Sequence, residues 1–311
     1  MSVAILFPGQ GSQFVGMGAE LFDQRPDLLG DAADEVLGWS LRELCLEGPE
    51  ESLTRTEHAQ VALFAVSYAL WVEFRQGYRG AIAGAAGHSL GEYTALCAAE
   101  AMSFPEALRV VARRGEAMAQ AADLEASGMA ALIGADAGLA VEMASNRQSD
   151  GGRLEVANIN APGQVVVAGS RDDIEWLVEN GRDLGMRRVL PLKVAGAFHS
   201  RFMEPAAEEV SQALSQITFA APSFPVWSNT TARPHQPEEI QDTLTSQVVS
   251  TVRFEESLLD MAATGMDTFV HIGPGDVTAG MAKRTVEGIE VHVISEVADI
   301  PAVADSLVTV T

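Results

Sequence analysis

The chain has 311 residues, 47% hydrophobic and 20% charged, a globular composition that suits two domains or one α/β domain with an insertion and argues against long disorder. With 43 acidic and 20 basic residues its net charge is −23, which argues against nucleic acid or an anionic membrane surface as the main partner. Cys45 and Cys97 form no Cys-x-x-Cys pair and the N-terminus has no basic leader or long apolar run, so buried thiols, no metal site and a cytoplasmic location are expected.

Val3 to Phe7 reads as a short buried strand that runs into Pro8-Gly9-Gln10-Gly11-Ser12-Gln13. A glycine loop after a strand invites a phosphate site. Here Phe14 stands where the dinucleotide fingerprint needs its third glycine, and no lysine follows as a P-loop requires. The remaining role is a backbone amide aimed at a reacting carbonyl, with Gln10 the natural donor; an ordinary turn is the alternative. Residues 20–80 read as helical, punctuated by Pro26, Gly48-Pro49 and Gly77, with Val61 to Phe74 strongly apolar. His58 is read as a surface or core-edge residue.

Gly87-His88-Ser89-Leu90-Gly91 has the form of a nucleophile elbow, Gly-x-Ser-x-Gly, in which two glycines let the chain turn sharply from strand to helix and expose the serine. Leu90 to Ala101 is a run of helix formers whose positive end would face Ser89. The preceding strand is inferred from the motif, because Gly80 to Ala86 holds a single β-branched residue, Ile82; a plain small-residue turn is the alternative. The Leu90 amide is the second oxyanion donor such an elbow uses. Ser103-Phe104-Pro105-Glu106 is a capping box opening a helix to about Ala122. On it Arg113 points to solvent, whereas Arg114 flanks the apolar stripe, where a guanidinium would want a carboxylate: an internal salt bridge or a substrate.

From Gly128 the pattern shortens: Met129 to Ile133 strand, Ala137 to Ser145 helix, Leu154 to Ile159 and Val165 to Ala168 strands, Asp172 to Gly181 helix, Arg188 to Val194 strand. This βαββαβ order predicts a ferredoxin-like subdomain at 127–195, inserted into an α/β core of 1–126 and 196–311, with Asn158 to Gly163 as its central turn. Gly196-Ala197-Phe198-His199-Ser200 leads back to the core and makes His199 a candidate general base. Phe224 to Asn229 reads as an edge strand and Asp267 to Ile272 as a strand containing His271. His88, His235 and His292 are read as structural or exposed.

The stretches Phe7 to Gln13, Gly87 to Glu92, Arg114-Gly115, Asn160 to Val165, Ala197-Phe198-His199 and Ile272 to Gly275 together resemble the malonyl-CoA:acyl carrier protein transacylase family over nearly the whole chain. The resemblance implies a hydrolase-like α/β core with a parallel sheet, interrupted by a ferredoxin-like subdomain. It implies that Ser89 attacks the malonyl thioester, His199 takes its proton, the Gln10 and Leu90 amides hold the oxyanion, and a Gln247 carbonyl orients the histidine. Arg114 would bind the malonyl carboxylate, with Asn160 and Phe198 also on the substrate and Phe198 limiting acyl size. The implied partners are malonyl-CoA and an acyl carrier protein, in fatty acid or polyketide synthesis, with no metal and no cofactor. A monomer is expected, and a discrete enzyme, since the chain begins and ends near the domain boundaries. Two positions depart from the family pattern: Asp276 where a basic residue is expected, and Gly196, whose missing side chain is expected to loosen a pocket wall. Rival readings are a serine esterase or thioesterase with His271 or His292 as base, and a carrier-docking protein without chemistry.

Overall fold

The computed structural model describes residues 1–308; positions 309–311, the end of the expected core segment, lie outside the described residues. In chain order the strands are β1 (Val3–Phe7), β2 (Gly84–Gly87), β3 (Ser127–Ile133), β4 (Glu155–Ala161), β5 (Gln164–Ser170), β6 (Arg188–Pro191), β7 (Val226–Trp227), β8 (Val252–Arg253), β9 (Thr268–Ile272) and β10 (Glu290–Ile294). They form two five-stranded sheets.

The first sheet is wholly parallel, in the order β10-β9-β1-β2-β7. Its centre, β1 and β9, is buried at every residue, which is why Val3 to Phe7 is an unbroken apolar run and not an alternating one. The β2 sequence, Gly84-Ala85-Ala86-Gly87, has little strand propensity, and packing explains it. A Cβ on Gly84 would lie 2.5 Å from Trp227 Cζ3, and one on Gly87 would lie 1.8 Å from the Gly91 carbonyl carbon. Only small residues fit, so the strand is legible from the elbow and not from propensity.

The second sheet runs β6-β3-β5-β4-β8, with its first four strands antiparallel. Helices Ala137–Ser149 and Arg171–Asn180 complete the βαββαβ order, so the expected ferredoxin-like arrangement is present beside the parallel sheet. The fifth strand, β8, comes from the later part of the chain and pairs parallel with β4 at Asn158↔Val252 and Ile159↔Arg253. Two backbone pairs thus tie that later segment to the second sheet.

Several expected boundaries move. β4 reaches Ala161 and β5 begins at Gln164, so Asn158 and Asn160 are strand residues and the turn shrinks to Pro162-Gly163, with Gly163 at φ 71°. β6 stops at Pro191 and β7 spans two residues, while the elbow helix ends at Ala98, followed by Glu100 at φ 63°. β8 and β10 were not expected: a two-residue strand has no period to read, and β10 is an edge strand without a continuous apolar run.

Helices Thr56–Gly77 and Phe104–Leu124 pack closely at Gly115, where a Cβ would come within 2.9 Å of Glu57 Cα. That contact brings Gln60 to Arg114. Gly91 makes a similar demand: its Cβ would lie 2.4 Å from Phe7 O and 2.8 Å from Pro8 O, backbone atoms that cannot swing aside. Gly91→Ala is therefore expected to lose about 1–3 kcal/mol or more in urea unfolding. Gly280→Ala, a helical position with nothing within 4 Å, should be neutral or gain up to about 1 kcal/mol. Equal stability of the two variants would refute the packing account.

Candidate active site

The elbow stands at the C-terminal end of β2, the edge of a parallel sheet where α/β proteins place their sites. Ser89 has φ 51° and ψ −103°, and His199 has φ 58°, left-handed backbone at two non-glycine residues. Asn229, at the end of β7, holds the elbow from both sides: its Oδ1 accepts from Ser89 N at 2.7 Å and its Nδ2 donates to Gly87 O at 2.8 Å. The Ser89 amide is thereby used. The Gln10 and Leu90 amides donate to no turn, loop or side-chain acceptor among the described residues, and both residues line the same cleft. Gly9 permits this approach, since a Cβ there would lie 2.4 Å from His88 O.

Ser89 Oγ lies 2.8 Å from His199 Nε2, and His199 Nδ1 lies 2.8 Å from the main-chain carbonyl of Gln247. A carbonyl only accepts, so Nδ1 carries the proton and the Nε2 lone pair faces the serine. Burial pushes His199 down to about 3, aided by the positive charge of Arg114 and opposed by the Gln247 carbonyl. The histidine is neutral at neutral pH.

Arg114 is 1% exposed, although its position on the helix predicted only partial burial. Its Nη2 donates to Ser89 Oγ and to Gln247 Oε1, both at 2.9 Å, its Nη1 donates to Gln60 Oε1, and its Cζ lies 5.3 Å from the centre of the Tyr93 ring. Its Nε has no partner, and none of the ion pairs among the described residues includes it. The internal salt bridge considered from sequence is thus absent. Arg113 is half-exposed and paired with Glu116 and Glu209.

These groups converge on a cleft of about 280 Å³ between the two sheets. Gln10, Ser89, Arg114, Phe198 and His199 line it from one side, Met129, Asn158, Asn160 and Val166 from the other, with Lys193, Leu192 and Val277 also in its wall. Asn160 is not turn chemistry: its Oδ1 lies 2.7 Å from His88 Nε2, which ties the second sheet to the elbow. His88 is accordingly part of the cleft wall. Gly196 does not loosen that wall. It is buried against the helix carrying Arg114, where a Cβ would come within 2.6 Å of Ala122 Cβ, so a side chain does not fit there.

Neither rival base reaches the serine. His271 is fully buried, with Nδ1 2.6 Å from Thr278 Oγ1 and Nε2 3.0 Å from Gly273 O, and His292 pairs with Glu290. Gln60, Glu92 and Asn229 were not singled out from sequence, and His235, read there as structural or exposed, is buried against Glu92. Gln60 carried a signal, a lone amide in the apolar run Ala59 to Ala65; Glu92 and Asn229 carried none beyond adjacency to a motif. Among the described residues no three His, Cys, Asp or Glu side chains converge as a metal site, and no helix is long and apolar enough to cross a membrane.

A family model for the acyl transferase domain matches residues 5–304. The chain belongs to this acyl transferase family. Within it, the chain is 40% identical over 298 residues to the malonyl CoA-acyl carrier protein transacylase of Bacillus subtilis strain 168, covering 94% of this chain and 93% of the relative. Its fold matches an acyl carrier protein S-malonyltransferase from Vibrio cholerae with a TM-score of 0.91 at 38% identity, covering 97% and 100% of the two chains. It also matches a malonyl-transacylase solved in complex with its type II PKS acyl-carrier protein, with a TM-score of 0.92 at 34% identity over 98% and 100%.

Three histidines are buried in surroundings that oppose their charging. Burial lowers His88, His199 to about 3 and His271 to about 4, each from 6.5. The unfolded chain takes up protons below pH 6.5 that these folded residues refuse, so stability should fall as pH drops below 6.5, with a limiting slope of about 1.4 kcal/mol per pH unit for each of His199 and His271 above its folded value, and His88 acting in the same direction. Urea unfolding at pH 7.5, 6.0 and 5.0 measures this; a flat profile would show that the three are protonated in place.

Proposed function

We propose that the protein transfers the malonyl group of malonyl-CoA to the phosphopantetheine thiol of an acyl carrier protein through a malonyl-serine intermediate. The observation that carries this reading is a buried guanidinium with no carboxylate of its own, bonded to the serine that faces a neutral histidine. A hydrolase of neutral esters has no use for such a cation, whereas an acyl group ending in a carboxylate would supply its missing partner. The relatives named above as malonyl transacylases support it.

On this reading Ser89 Oγ attacks the thioester carbonyl as its proton passes to His199 Nε2. The Gln10 and Leu90 amides take the oxyanion, and the Gln247 carbonyl replaces the carboxylate of a serine triad in orienting the imidazole. The intermediate collapses, the C–S bond breaks, and coenzyme A leaves with the proton from His199. The carrier thiol then gives its proton to His199 and attacks the malonyl ester, and Ser89 leaves protonated. Thioester is exchanged for ester and back with little change in energy, so the work lies in stabilising developing charge and excluding water. The residues named supply this chemistry without a metal or cofactor.

We further infer that 127–195 is a subdomain inserted into a core of 1–126 and 196–311, and that the protein acts as a cytoplasmic monomer without nucleic acid or membrane. Fatty acid or polyketide synthesis would consume the product. The candidate cations for an acidic carrier, in segments that flank the cleft, are Arg187, Arg188, Lys193, Arg201, Lys283 and Arg284, all exposed; Lys193 lines the cleft, Arg201 is paired with Glu155 and Arg284 donates to Gln164 Oε1.

Malonyl-CoA alone should add one malonyl group to the protein at Ser89, seen by intact mass and peptide mapping. Ser89→Ala should abolish it, and Arg114→Ala should lower the malonyl-to-acetyl preference by roughly tenfold to a hundredfold. An unmodified wild type, or a label on another residue, removes the reading.

Phe198, 6% exposed beside His199, occupies the wall where a branch on the acyl α-carbon would sit. Phe198→Ser should raise methylmalonyl relative to malonyl transfer by about tenfold to a few hundredfold in competing kcat/KM. An unchanged ratio in a folded variant would place acyl selection elsewhere.

A further inference from the structure

Behind Gln247 lies a carboxylate that the proposed mechanism does not use. Glu92, in the first turn of the elbow helix, is fully buried. Its Oε2 accepts from Gln247 Nε2 at 2.6 Å and from Asn229 N at 3.2 Å, and its Oε1 lies 2.7 Å from His235 Nε2. His235 Nδ1 in turn meets Thr243 Oγ1 at 3.1 Å. The Gln247 amide therefore stands between Glu92 and Arg114, giving its Nε2 to the carboxylate and its Oε1 to the guanidinium.

The site needs such a charge. When Ser89 is acylated, His199 becomes an imidazolium next to a buried arginine that disfavours it, and its Nδ1 partner is a neutral carbonyl. The acyl cleft has no carboxylate in its wall. Glu155, on the far side of His199, is bound to Arg201. We propose that Glu92 serves as the remote carboxylate of the site, its charge offsetting that of Arg114 so that His199 can take the serine proton. Glu92 touches no reacting atom and is a positioning and charge-balancing residue.

A consequence separates this role from a structural one. A malonyl substrate brings its own carboxylate to Arg114, while a neutral acyl group does not. Loss of the Glu92 charge should therefore harm neutral acyl donors more than malonyl. Glu92→Gln isolates the charge, because the hydrogen bonds can all be kept: the new Oε1 accepts from Gln247 and Asn229, and the new amide donates to His235 Nε2 once that ring carries its proton on Nδ1 toward Thr243.

The experiment measures the pre-steady-state acylation of Ser89 by p-nitrophenyl acetate and by malonyl-CoA, in wild type and Arg114→Met backgrounds. With the nitrophenyl ester the serine proton goes to His199, the Oγ–acetyl bond forms and nitrophenolate leaves, so the readout does not depend on malonyl transfer. In the wild-type background Glu92→Gln should slow acetylation by about tenfold to a hundredfold and malonylation several-fold less. In the Arg114→Met background its effect on acetylation should shrink to within about threefold, the non-additivity of two opposed charges. Glu92→Asp should recover most of the rate, and Glu155→Gln should change it little. If Glu92→Gln does not fold, the shorter pair Glu92→Asp and Glu92→Asn carries the same comparison of charge with no charge. Equal losses on both donors, or a loss that persists without Arg114, would overturn the proposal. A wild type that reacts with the nitrophenyl ester but not with malonyl-CoA would instead overturn the malonyl reading and leave this test standing.

Discussion

The structure depends on the burial of one guanidinium. Arg114 is removed from water with no ion pair among the described residues, an expensive state that the surrounding chain offsets with neutral acceptors and an aromatic face. Gln60 and Gln247 accept two of its N–H groups and Ser89 a third contact, so a single side chain links the long apolar helix, the elbow and the segment that orients His199. Nε remains without a hydrogen-bond partner.

That arrangement works only because backbones approach very closely at glycines. Gly115 brings the helix of Gln60 against the helix of Arg114, Gly87 and Gly91 let the elbow fold onto β1, and Gly9 lays the Gln10 loop on the elbow. Each is a position where a Cβ would meet backbone atoms closer than van der Waals contact. The resulting geometry places two unengaged amides beside a strained serine. A local strain of on the order of 1–3 kcal/mol at Ser89 and at His199 is held by the packed elements around them.

The two sheets share the site. The parallel sheet presents Ser89, Gln10 and, through adjoining segments, His199 and Arg114; the antiparallel sheet supplies Asn158, Asn160 and Val166 as the opposite wall. The His88 to Asn160 hydrogen bond joins the elbow to the second sheet, and β8, from the chain after β7, completes that sheet on β4, so the acyl cleft is the seam between the two sheets. The chain as a whole carries a charge of −23, while at the cleft Arg114 is a buried cation and Glu92 a buried carboxylate behind it, with Gln247 between them.

The elbow, the capping box at Ser103, the βαββαβ order and the candidacy of Ser89, His199 and Arg114 were legible in the sequence, because each rests on local chemistry or position: a turn that needs glycine, a side chain that caps its own helix, a period that repeats; Gln247 was named by the family resemblance alone. The depth of Arg114, the role of Gln60, the Glu92–His235 pair behind Gln247 and the misfit of a side chain at Gly196 were decided by tertiary structure alone. Glu92, Asn229, His235 and Gln247 meet from segments as much as 155 residues apart. No pattern along a chain encodes which polar groups will share a buried space, since that depends on which backbones pack closely enough to exclude water, and here on glycines whose function is visible only against their neighbours.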